Sequence, residues 1–112
     1  MKLRQVVEAL SLTVEAGQSN LDGEVTGGYA ADLLSCAMAG ARKGHVWVTL
    51  QGHLNVVAIA GLTELAGVIV TESKPVVPEA LARAEEEGIP ILTTPLTTFA
   101  VVGRLWEMGV RV

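Results

Sequence analysis

Apolar residues recur along this chain in two alternating rhythms. Short runs rich in β-branched residues read as strands, and longer stretches with apolar positions three and four apart read as helices. Leu3 to Leu10 has the helical rhythm, and Leu12 to Glu15 reads as a strand. Gly17 to Gly23 reads as a loop with Asp22-Gly23 as its turn. Glu24 to Gly28 leads into a predicted helix from Tyr29 to Arg42. Its apolar stripe is Ala30, Leu33, Leu34, Ala37, Met38 and Ala41.

Three βα units follow. Their strands are Val46–Thr49, Val68–Thr71 and Pro90–Thr93, starting 22 residues apart and each ending in threonine. The helices predicted after them cover His53–Ala66, Pro78–Glu87 and Thr97–Met108. Strands that are apolar without alternation are buried on both faces, as in a parallel sheet covered by helices. The expected fold is therefore α/β: a single domain over residues 1–112, mostly parallel sheet flanked by helices, built from repeated βα units. On the helix at Leu54–Leu65, the residues Leu54, Val57, Ala58, Gly61, Leu62 and Leu65 form one stripe. Val56, Ile59 and Ala60 fall largely outside it. A helix apolar nearly all round needs cover on two sides. Val56, Ile59 and Thr63 are accordingly the expected patch for a second copy of the chain.

Composition strengthens the expectation of a partner. Hydrophobic residues make up 50% of the 112 before the 12 glycines are counted. A typical globular domain reaches about 45–50% with glycine included. The surplus predicts a homodimer, two-fold symmetry being the commonest arrangement. Net charge is −4, with no basic stripe, which disfavours nucleic acid and anionic membrane as partners. No segment approaches a membrane span of about 20 apolar residues, and Met1 to Val14 holds no secretory apolar run. One cysteine, Cys36, precludes an internal disulfide and fits a cytoplasmic location.

Candidate chemistry is sparse. No glycine-rich phosphate loop of either common spacing occurs. His45, His53 and Cys36 lack the spacing of a metal site, and no cofactor is called for. The histidines read as surface or capping residues, and Cys36 as a small packed thiol. Two features invite a ligand. Thr26-Gly27-Gly28, read as the turn before the predicted helix, could aim backbone N–H groups at an anion, with Tyr29 and Asp32 beside it. Thr49, Thr71, Thr93 and Thr94 fall at strand carboxyl ends, where open α/β sheets bind ligands. The expected ligand site joins these two groups.

The stretch Glu24-Val25-Thr26-Gly27-Gly28-Tyr29-Ala30-Ala31-Asp32-Leu33-Leu34-Ser35 resembles the DRTGG domain family. So do Val68–Thr71, the Pro78–Gly88 helix and Ile89–Thr94. Glu24 stands at the motif's acidic position, and Val25 replaces its arginine, which removes a cation from the loop. The resemblance implies a regulatory or assembly module without catalytic activity, commonly making dimer contacts. It also implies a fold similar to the N-terminal domain of HPr kinase/phosphorylase. The expected role is a homodimeric, non-catalytic regulatory module sensing a small ligand. The alternative is a sensor of a nucleotide or phosphorylated metabolite, and a phosphotransferase-related enzyme ranks third.

Overall fold

A computed structural model describes residues 1–111. Helix α1 (Leu3–Leu10) is followed by strand β1 (Thr13–Ala16), a 3-10 turn at Gln18–Asn20 and strand β2 (Gly27–Ala30). Then come α2 (Leu34–Gly40), β3 (His45–Thr49), α3 (Leu54–Leu62) and β4 (Gly67–Val70). The last elements are α4 (Pro78–Glu87), β5 (Ile91–Thr93) and α5 (Thr98–Glu107). The strands form one sheet in the order β1-β5-β4-β3-β2. Strands β2 to β5 are parallel, and β1 joins the far edge antiparallel to β5. This is the expected α/β class.

Alternate side chains of each strand enter opposite cores, the period-two geometry of a pleated strand. Trp47, Val68, Val70 and Ile91 pack with Ala37, Val57, Ala60, Ala80 and Ala84 from α2, α3 and α4. Val46, Val48, Ile69 and Leu92 pack with Leu3, Val6, Leu10, Val101 and Leu105 from α1 and α5. Both faces being covered, β3 and β4 are buried along their whole length.

Local signals set several boundaries. Pro78 opens α4 at the position where its missing N–H costs nothing. Gly88, at φ 70°, ends it in the left-handed conformation that glycine adopts freely. Thr97 caps α5, its side chain accepting from the Ala100 N–H at 3.1 Å.

Two expectations are corrected. The helix predicted over Tyr29–Arg42 is strand β2 at its start, and α2 begins only at Leu34. Gly27 pairs with His45 and Tyr29 with Trp47 in parallel register. The glycines are there for close packing rather than for a turn, and neither has a positive φ. A Cβ on Gly27 would lie 2.6 Å from the Arg111 carbonyl oxygen and 3.0 Å from His45 Nε2.

The second correction concerns α3. Val56 and Ile59, expected at an interface between copies, are buried inside the chain's own core. The Thr63 hydroxyl donates to the Ile59 carbonyl at 2.7 Å. Helix α3 packs against both α2 and α4, so its buried face is broad. Its outward face carries Leu54, Ala58, Gly61 and Leu62, which the periodicity had turned inward.

Candidate functional site

The two halves of the expected ligand site lie at opposite edges of the sheet. Thr26, Gly27 and Gly28 are at the amino end of β2. The Thr26 hydroxyl donates to the Lys43 carbonyl at 2.8 Å and caps no helix. The Tyr29 hydroxyl donates to the Cys36 carbonyl at 3.0 Å, tying β2 to α2. Glu24 binds the N-terminal ammonium at 2.9 Å, which holds its carboxyl below the usual range. Val25, in place of the motif's arginine, is buried in the core beneath α1 and α5.

Asp32 follows β2 and reaches the carboxyl edge. Its Oδ1 accepts from the Leu50 N–H at 2.8 Å and the Thr49 hydroxyl at 3.2 Å. Thr49 and Thr71 are fully buried. Thr71 Oγ1 sits 2.6 Å from Thr98 Oγ1, fastening α5 to the sheet. These two hydroxyls brace the strand ends from inside.

Thr93 and Thr94 differ. Both line a cavity of about 410 Å3 between β1, β5, α4 and the segment after β4. Thr13, Glu15, Ser73, Lys74, Pro75, Val76, Leu81 and Pro95 complete it. The Thr93 hydroxyl donates to Glu15 Oε2 at 2.8 Å. Thr94 Oγ1 accepts from the Leu96 N–H at 3.2 Å, leaving its own hydrogen free to donate. Glu72 and Ser73 have left-handed φ of 60° and 56°, an uncommon conformation for residues other than glycine. Their N–H groups donate to the carbonyls of Leu96 and Thr94 at 2.9 and 3.0 Å. The wall is thereby pinned in place. The volume lies within the range of small-molecule sites. Sequence reasoning found the two threonines and missed Glu15, Ser73 and Lys74. The available signal was the polar run Glu72-Ser73-Lys74 leaving a strand's carboxyl end.

A second concavity, about 250 Å3, lies beside edge strand β2. Gly28, Tyr29, Ala30 and Val48 line it together with Val102, Leu105, Trp106, Val110 and Arg111. It is mainly apolar, and next to it Phe99, Val102 and Trp106 are exposed on α5 by 89%, 37% and 54%.

The remaining candidates for chemistry have structural surroundings. His45 is buried, not on the surface, and its Nδ1 accepts from the Arg42 N–H at 3.2 Å. Burial, and then the Arg42 charge, push its pKa down. Cys36 is exposed rather than packed. Among the described residues, no three metal-ligating side chains come together, and no helix is long and apolar enough to cross a membrane.

Comparison with known proteins adds two findings. The model of the DRTGG domain matches residues 18–108. The crystal structure of the CBS and DRTGG domains of the regulatory region of Clostridium perfringens pyrophosphatase, complexed with its activator diadenosine tetraphosphate, is similar in fold. Its TM-score is 0.70 at 19% identity, over 99% of this chain and 48% of that one. The chain thus spans about half the length of that neighbour. No curated protein matches it.

Proposed function

The chain belongs to the DRTGG domain family, and on that footing we propose that it is a non-catalytic regulatory module, working as a two-fold pair and sensing a small ligand. A fold like that of the N-terminal domain of HPr kinase/phosphorylase, which the motif implies, would fit this reading, and the sequence holds no phosphate loop. An exposed thiol at Cys36 suits a reducing cytoplasm. The regulatory setting of the structural neighbour supports the same role.

The pairing half rests on one observation, the contrast between the two edges of the sheet. An edge strand presents unpaired backbone N–H and C=O groups, and proteins blunt it with charges, prolines or bulges. Edge β1 carries Glu15 and a register shift between Val14 and Ala16. Edge β2, Gly-Gly-Tyr-Ala, carries neither a charge nor a proline and has an unbroken register. The apolar concavity and the exposed α5 side chains lie alongside it. A second β2 related by a two-fold axis would satisfy the backbone groups while α5 covers α5. Gly103, with nothing within 4 Å of an added Cβ, leaves room for that approach.

Sedimentation velocity at micromolar concentration tests this. The native chain should run as a dimer. Ala30→Lys and Val102→Glu should each shift it to monomer, by at least about tenfold in dissociation constant, with unchanged circular dichroism. A native chain that is monomeric at high micromolar concentration overturns the pairing.

A further inference from the structure

We infer that the cavity beside β5 binds a phosphorylated ribose, its phosphate on Lys74, Ser73 and Thr94 and its sugar hydroxyls on Glu15. The inference rests on the reading of the chain as a sensing module, and it names the ligand class and the residues that would select it.

The cavity's polar groups divide by sign. Lys74 makes no ion pair among the described residues, although five other cationic groups there do. An unpaired ammonium in a chain of net charge −4 is an unspent attraction for an anion. Ser73 stands beside it, and its hydroxyl has no partner among the described residues. Thr94 has a hydrogen to give, because its oxygen already accepts from Leu96. These are three donors on one side.

Glu15 is the acceptor. Its Oε2 takes the Thr93 hydroxyl at 2.8 Å, which orients the carboxylate and leaves Oε1 open. A carboxylate so held accepts from a ribose hydroxyl, as acidic side chains do at the strand ends of dinucleotide-binding sheets. Thr93, having given its hydrogen to Glu15, offers only lone pairs. Bare phosphate would therefore meet repulsion at that end, whereas a sugar with hydroxyls to donate would not. Pro75, Val76, Leu81 and Pro95 supply an apolar wall against which a ring can lie. The left-handed backbone at Glu72 and Ser73 is the sort of strain that folds retain where it positions a binding loop. Hydrogen bonds to Thr94 and Leu96 hold it before any ligand arrives, which lowers the ordering cost of binding.

The experiment is a titration of the full chain with AMP, 2′-deoxy-AMP and ribose 5-phosphate, followed by amide shifts and melting midpoint. AMP should perturb the amides of Ser73–Val76 and Thr93–Thr94. It should raise the midpoint by roughly 4–8 °C at tenfold excess over its dissociation constant. Lys74→Ala should weaken AMP at least tenfold. Glu15→Gln keeps the bond from Thr93 and should remove the preference for AMP over its deoxy analogue. Tighter binding of AMP than of ribose 5-phosphate identifies a nucleotide through the apolar wall, and equal binding identifies a sugar phosphate. Two results overturn the inference: no perturbation of those amides by any of the three at 5 mM, or binding untouched by Lys74→Ala. Sedimentation of the same sample reads the pairing separately, so a dimer that ignores all three ligands refutes the ligand and not the module.

Discussion

At the scale of single residues, His45 shows how burial turns a titratable group into a pH-dependent prop. Its ring is enclosed at the start of β3, and Nδ1 must be unprotonated to accept from the Arg42 N–H. Burial and then the neighbouring guanidinium depress its pKa from the ordinary 6.5. The unfolded chain therefore binds a proton more readily than the folded one. Its contribution is complete above about pH 6.5 and is lost as pH falls below that toward the folded value. The urea midpoint should drop between pH 7.5 and 5.5. His45→Asn, which keeps an acceptor for Arg42 but cannot protonate, should flatten that drop. Parallel pH profiles for the two proteins would show that His45 is not the cause. Asp22 and Glu24, whose carboxyls are held low by Arg4 and the N-terminal ammonium respectively, act in a more acidic window and leave this one clear.

At the scale of elements, the end of α3 carries strain that a single change relieves. Glu64 sits at φ 54° just past the helix. The Leu65 N–H donates to Ala60 and the Glu64 N–H to Gly61, at 3.0 and 3.3 Å, which is the Schellman pattern that favours glycine at Glu64's position. Glu64→Gly should stabilise the protein by about 0.5–1 kcal/mol in urea unfolding. The exposed Lys43–Glu64 pair at 3.8 Å is worth too little to reverse the sign. Elements bounded by such local chemistry were legible in the sequence. Helix α4, between Pro78 and Gly88, matches its expected limits, and β3, β4 and β5 lie within a residue of theirs. Strand β2 was not legible, because Gly27, Gly28 and Ala30 have little strand preference of their own. They are extended because β3 pairs with them and Arg111 lies against Gly27, a neighbour more than 80 residues away in sequence. The outward face of α3 was hidden for a similar reason, since α2 and α4 decide which sides are covered. In the candidate site, strand-end position pointed to Thr93 and Thr94, but Glu15 reaches Thr93 across a separation of 78 residues.

At the scale of the whole molecule, that same separation governs how the sheet is completed. Strands β2 to β5 are contributed in order along the chain, each next to its predecessor, whereas β1 pairs Thr13 with Thr93. Contacts so distant in sequence carry a large loop-closure cost and tend to form late. Leu3, fully buried in α1, should therefore act mainly after the folding barrier. Leu3→Ala should cost about 2–5 kcal/mol, appearing as faster unfolding with a nearly unchanged folding rate. A stopped-flow chevron in which the folding arm carries most of the loss would place α1 in the nucleus instead. The arrangement has a further consequence at the ribosome. Strand β1 has no neighbour in the sheet until β5 has emerged, so residues 13–16 wait while synthesis runs on through residue 93. At about 5–20 residues per second that interval lasts roughly 4–15 s. Throughout it, Leu3, Val6 and Leu10 lack the cover that α5 will later give them, and a nascent-chain chaperone would meet α1 and β1 as its longest-exposed client.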